Sequence, residues 1–330
     1  KNQDFAIAES LYNEALTIDK RIGDREHESI ILHRLGMLQR KLGNYDSAKA
    51  FYLQSLEIDR EIGDKKGESG VLTSLGITEK KMGNFDAAKK LYSESLLIDR
   101  EIGDRKGESV MLSKLGNLER EAGNFDAAKK LYSESLLIDR EIGNKSHIAW
   151  MVLQLAELAK DEGDFSLAGE LYEQQIGLRK ELGDEHKLSV AMIRFAEFLV
   201  HLKKYDDAFK LIDNSINIIK NSEIANTNRG KRNISIDLEL RGYINSLIGN
   251  SYLAKESFNQ AMKLAVEIED YMIISSLYHK LGELESYLGN YSEATKLLKK
   301  SKDIFNEHNL ANEDGSNSEL DISSNCKPFF

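Results

Sequence analysis

Proline is almost missing from this chain of 330 residues; the one instance is Pro328, at the extreme C-terminus. Nothing before it locks φ or removes a backbone N–H, so no helix is interrupted on that account. Cysteine is equally scarce. Cys326 stands alone, which excludes an intrachain disulfide and fits a reducing, cytoplasmic location. No apolar run approaches the roughly 18 residues that span a bilayer. The opening Lys1-Asn2-Gln3-Asp4 has no apolar signal core. Positive charge is in deficit: 45 Lys and Arg against 55 Asp and Glu leave a net charge of −10. That argues against wholesale attraction to nucleic acid. Long alternating apolar runs and Asn-Gly hairpin turns are absent too. What remains, 41% apolar and 30% charged residues, suits a folded all-α chain.

What is present is a period. GNFDAAKKLYSESLLIDREIG at 83–103 returns unchanged at 123–143. Gly43-Asn44-Tyr45, Gly83-Asn84-Phe85, Gly123-Asn124-Phe125 and Gly163-Asp164-Phe165 fall in step at forty residues. Lys203-Lys204-Tyr205 is a degenerate copy, and after a six-residue insertion the phase resumes at Gly249-Asn250 and Gly289-Asn290. Ala48, Ala88, Ala128, Ala168, Ala208, Ala254 and Ala294 each follow five residues later. A fixed period of this size marks stacked repeats. Two readings of the identical stretch are open: recent duplication, or a surface that presents one face twice.

Each period reads as two helices. Asp104 is placed to cap the first, and Leu112, Leu115, Leu118 and Ala122 form its apolar stripe. Gly123 is suited to the left-handed residue that ends it. Asn124 is expected to cap the second helix, with Phe125, Ala128, Leu131, Tyr132, Ser135 and Ile138 on its buried face. Gly36, Gly76, Gly116, Ala156, Ala196, Gly242 and Gly282 recur in the first helices, where small side chains admit a close approach and Tyr52, Tyr92 and Tyr132 fill the gap.

Leu115-Gly116, Gly123, Phe125, Ala128 and Tyr132 resemble the tetratricopeptide repeat signature. The resemblance covers residues 1–308, with a partial first repeat at 1–22 and about seven further repeats. It implies a right-handed superhelical solenoid of helix-turn-helix units. The period is forty rather than thirty-four, and the usual proline after the second helix is missing, with Arg60, Arg100 and Arg140 in that region. This is similar to the long repeats of kinesin light chains and of the sensor arms of signalling NTPases. The polar segment 221–234 is expected to be an inserted connection, either a plain loop or a hinge. Residues 309–330 are expected to be a disordered acidic tail, with Phe329-Phe330 a candidate docking pair. The first helix has no preceding partner, so an upstream helix or domain of a longer chain is expected to cover Phe5, Leu11, Tyr12 and Ile18.

No catalytic constellation or cofactor motif stands out. The seven histidines, 27, 33, 147, 186, 201, 279 and 308, are scattered, and no phosphate-cradling G-x-x-x-x-G-K loop occurs. Recurrent carboxylates such as Asp99 and Glu101 read as solvated helix faces. The chain is therefore not expected to be an enzyme or to hold a cofactor or metal.

The resemblance implies that the first helices line a concave groove. That places Arg34, Met37, Arg40, Lys41, Lys80, Lys81, Lys114, Asn117, Arg120 and Lys160 there, followed by Trp150, Leu153, Glu157, Ile193, Glu197, Glu239, Tyr243 and Glu283. Arg40, Lys80, Arg120 and Lys160 would stack as a basic ladder. They also lie at helix C-termini, where the carbonyl dipole alone stabilises a cation by roughly 0.3–1 kcal/mol. Lys114, Asn117 and Arg120 partly resemble a carboxylate clamp, with Ser113 where the clamp has a lysine. Trp150 is open to two readings, core residue or binding hot spot. The expected function is a non-enzymatic scaffold for a protein or peptide, with an acidic partner favoured and nucleic acid and membrane disfavoured. A ligand-sensing arm of a larger signalling NTPase and a self-associating structural array are the alternatives.

Overall fold

A computed structural model describes residues 2–308. The expected tail, with Cys326 and Phe329-Phe330, lies outside the described residues. Among these there are helices and turns and no strand. They form two compact units, one ending at Glu162 and the other beginning at Gly163, so the division does not fall in segment 221–234. The first unit comprises α1 (Asn2–Ile22), α2 (Arg25–Lys41), α3 (Tyr45–Ile62), α4 (Lys65–Lys81), α5 (Phe85–Glu101), α6 (Arg105–Glu121), α7 (Phe125–Glu141) and α8 (Lys145–Glu162). The second comprises α9 (Phe165–Leu182), α10 (Glu185–His201), α11 (Tyr205–Lys220), α12 (Asn228–Leu247), α13 (Ser251–Glu267), α14 (Tyr271–Tyr287) and α15 (Tyr291–Glu307).

The local chemistry of the repeat explains these boundaries. Asp104 Oδ1 accepts the Gly107 N–H at 2.8 Å, satisfying an orphan donor of the first turn of α6. Gly123 has φ of 78°, which a residue without Cβ adopts at no steric cost. In the degenerate copy Lys203 takes the same slot at φ 59° despite its side chain. The second helices differ from expectation. Asn84 and Asn124 make no side-chain cap. Each instead donates Nδ2 backwards at 2.8 Å, to Glu79 and Glu119. Those glutamates are buried, and an unpaired buried carboxylate costs more than an uncapped, water-accessible helix end. Lys49 and Lys89 complete the pairs at 2.5 Å, so Lys89 of the repeated stretch ties α5 to α6.

The small residues act as expected. A Cβ on Gly76 would lie 2.5 Å from the Tyr92 ring, and one on Gly116 2.5 Å from that of Tyr132. In the second unit Gly242 meets Phe258 and Gly282 meets Leu298. Ala88 is fully buried beside Tyr92, Leu112 and Leu115. Ala88→Leu should therefore overpack the hairpin and cost about 1–3 kcal/mol. The measurement is the urea midpoint, expected to fall at unchanged slope.

The inserted connection is shorter than 221–234, because α12 already begins at Asn228. Thr227 Oγ1 accepts the Gly230 N–H at 3.1 Å and starts the helix. Its first turns bury Asn233 beside Ile234. Asn233 Nδ2 donates to Ser189 Oγ at 3.2 Å. A buried amide satisfied by polar partners leaves no apolar stripe to read, which hid these turns.

Candidate functional site

In the first unit first helices touch in two of the three successive pairs, α2 against α4 and α6 against α8 but not comparably α4 against α6. No comparable contact joins α3 with α5 or α5 with α7. A stack spaced more closely on one side curves toward that side, so the first helices line the inner face of this unit. His33 Nε2 and Ser74 Oγ meet across that seam at 2.8 Å.

The basic ladder is present in the sequence register but is not a row of bare cations. Lys80 pairs with Glu121 at 2.6 Å, and Arg120 with Asp161 at 3.2 Å. Lys160 pairs with Glu157 on its own helix. Each of the first two acids lies forty-one residues beyond its cation. The matching position for Arg40 holds Lys81 instead, and Arg40 Nε donates to the Tyr52 hydroxyl at 3.4 Å. Arg34, Met37, Lys41 and Lys81 are exposed nearby.

Lys114 is half-buried, with Nζ 5.8 Å above the Tyr92 ring. Burial pushes its ammonium down to about 8, with Lys80 and Arg40 adding to the shift. Asn117 Oδ1 is engaged, accepting the Tyr132 hydroxyl at 2.6 Å. Trp150 stacks on His147 at 5.2 Å and packs against the cluster around Tyr132 and Leu136. Leu153 and Ile193, mapped to the groove from sequence, are buried in the core. In the second unit Glu239 is also buried, accepting from Ser276 at 2.6 Å and pairing with Lys280 at 3.0 Å. Lys280 in turn sits over the Tyr243 ring.

Sequence reasoning missed a polar seam between the two helices of a hairpin. Asp59, Asp99 and Asp139 are buried, not solvated. Asp59 and Asp99 accept from Ser29 and Ser69, and these serines meet Ser55 and Ser95. Desolvation raises the pKa of both carboxyls, and the serine hydroxyls oppose it. The signal was legible as Ser, Ser at +26, Asp at +30 and Gly at +38. In these copies the glycine leaves room for the carboxyl: a Cβ on Gly107 would lie 2.6 Å from Asp99 Oδ2.

His147 replaces the glycine in the next copy and meets Asp139 at 2.5 Å and Ser109 at 3.1 Å, both through Nδ1. This Ser, His and Asp set is not a nucleophile relay, which needs serine and acid on opposite ring nitrogens. Ser109 is also fully buried. Among the described residues, no group of three His, Cys, Asp or Glu converges to hold a metal, and no helix is long and apolar enough to cross a membrane.

Comparison with known proteins agrees with this architecture. The tetratricopeptide repeat family model matches residues 1–61, 68–141 and 108–181. Comparison with the curated proteins gave no match. Among solved structures, the apo quorum sensor NprR from B. thuringiensis is similar over 90% of this chain and 82% of its own, at 17% identity and TM-score 0.66. A signal transduction ATPase (STAND) protein with a tetratricopeptide repeat sensor, from Pyrococcus horikoshii, is similar over 93% of this chain and 48% of its own, at 14% identity and TM-score 0.60. The Rap conjugation gene regulator of the plasmid pLS20, in complex with the Phr* peptide, is similar over 90% of this chain and 79% of its own, at 13% identity and TM-score 0.55.

Proposed function

This chain belongs to the tetratricopeptide repeat family, and from that membership we propose that it is a non-enzymatic interaction scaffold holding a protein or peptide segment along its first helices. The observation that carries the reading is the inner face of the first unit. There Arg34, Arg40, Lys80, Lys114 and Arg120 project from α2, α4 and α6, beside the exposed Met37. Lys41, Lys81, Asn117, Trp150 and Lys160 flank them as further contacts. The similar Rap regulator was solved with a peptide, and a peptide is the ligand class carried over here. The similar ATPase carries its repeats as a sensor. A sensing arm of a larger signalling protein is the second form of the proposal, with the same groove and a different output.

The test is selection of peptides from a random display library, with affinities read by fluorescence anisotropy. The double variant Arg34→Glu, Met37→Glu on the inner face should weaken the selected peptides at least tenfold. Leu97→Glu, on an exposed second-helix position, should leave them unchanged. Equal binding by both variants would sink the groove reading.

A further inference from the structure

Lys114 differs in charge environment from Lys49, Lys80 and Lys89. Lys49, Lys80 and Lys89 each face a carboxylate. Lys114 faces an aromatic ring and two cations, Lys80 and Arg40. Among the described residues no carboxylate pairs with Lys114 or Arg40. Only Glu121, through Lys80, offsets the three positive charges, which leaves two unanswered. A tyrosine face stabilises an ammonium by about 0.5–2 kcal/mol, but it does nothing for the mutual repulsion of three cations. The repeat does not require this arrangement either. The register-equivalent positions forty and eighty residues earlier hold Ser74 and Arg34, in hairpins of the same geometry. A partly desolvated cluster of like charges with no architectural role is stabilised by whatever anion enters it.

We propose that a carboxylate of an acidic peptide docks among Arg40, Lys80 and Lys114, above the Tyr92 ring, an assignment that rests on the inner face being a peptide groove. Lys114 and the guanidinium of Arg40, whose Nε rests on the Tyr52 hydroxyl, supply donors that no carboxylate holds, while Lys80 is shared with Glu121.

Proton linkage follows from the same geometry. The Lys114 ammonium, held at about 8 when the cluster is empty, gains a counter-ion on binding, so its pKa rises and a proton is taken up above pH 8. The other groups that face it are Arg40 of α2, Lys80 of α4 with its partner Glu121, and the Tyr92 phenol, which burial pushes further up. Affinity should therefore fall as pH rises from 7 to 9.

The experiment uses fluorescein-labelled hexaglutamate and hexaglutamine peptides with the full chain at low salt. Hexaglutamate is expected to bind, and Lys114→Gln or Arg40→Gln to weaken it at least tenfold. Lys90→Gln, at an exposed second-helix position, should have no effect. The pH dependence should disappear in Lys114→Gln, which a merely structural lysine would not produce. Equal binding of hexaglutamate by Lys114→Gln and wild type overturns the assignment. If hexaglutamine or library peptides bind and hexaglutamate gains nothing, the groove stands and the carboxylate site is lost. If no peptide of any composition binds, the groove reading itself fails and takes the site with it.

Discussion

Gly116→Ala should destabilise the first unit by about 2 kcal/mol, although the same exchange in an open helix stabilises. Two effects compete. Alanine is favoured over glycine in a helix interior by about 1 kcal/mol. Against that, the new Cβ would sit 2.5 Å from one carbon of the Tyr132 ring and 2.6 Å from another. The ring has nowhere to go: it is fully buried, and its hydroxyl is tied to Asn117 at 2.6 Å. Overpacking of this kind costs about 1–3 kcal/mol and sometimes more, so the clash wins. Gly177→Ala supplies the opposite sign. Gly177 is exposed within α9, and a Cβ there meets nothing within 4 Å, so the variant should gain about 0.5–1 kcal/mol. A double-mutant cycle with Tyr132→Leu isolates the contact, because the smaller side chain should remove most of the alanine penalty. Additive costs in that cycle, or a stabilised Gly116→Ala, would show that the ring and the backbone are not in contact.

Asp237→Val should stabilise the second unit by about 1–3 kcal/mol, the range for removing an unsatisfied buried polar group. Asp237 lies on α12 with no exposed surface, and neither carboxyl oxygen makes a hydrogen bond of good geometry. The Ser215 hydroxyl is close enough to oppose the shift, but desolvation dominates and raises the carboxyl pKa well above its ordinary value. Equivalent positions in earlier repeats hold Val71, Met111, Met151 and Ala191, all buried, so valine suits the site. The pH dependence has a definite sign. The folded state holds the Asp237 proton to higher pH than the unfolded chain, which releases it near pH 4. Stability is therefore greatest below pH 4 as far as this group is concerned, and declines as pH rises toward the folded pKa. Asp237→Asn should remove that decline while keeping the side-chain volume. Thermal melts at pH 5, 7 and 9 read it out. A wild-type and Asn variant with parallel pH profiles would mean that Asp237 stays ionised in the fold.

Much of the hairpin architecture was legible before any coordinates. The forty-residue phase, the left-handed glycines and the glycine–tyrosine contacts depend on residues within one repeat, so their spacing carries the information. Asp104 as a cap was legible for the same reason, since its partner is three residues away. Asn124 was misread because its partner Glu119 competes for it from the preceding helix. The solvated reading of Asp99 failed because a hydrophilic side chain within a run of charges looks exposed until Ser69 and Gly107 are placed around it.

The candidate groove divides the same way. Sequence alone determined which residues line up from repeat to repeat, because stacking at a constant period carries register directly into space: Arg40, Lys80, Arg120 and Lys160 were bound to form a series. Only the tertiary structure decided which of them remain available. Charge is neutralised by whatever lies within a few ångströms, and Glu121 and Asp161 reach Lys80 and Arg120 from the following repeat, while among the described residues no carboxylate pairs with Lys114 or Arg40. A linear pattern reports periodicity; it cannot report which ions meet once the helices have packed.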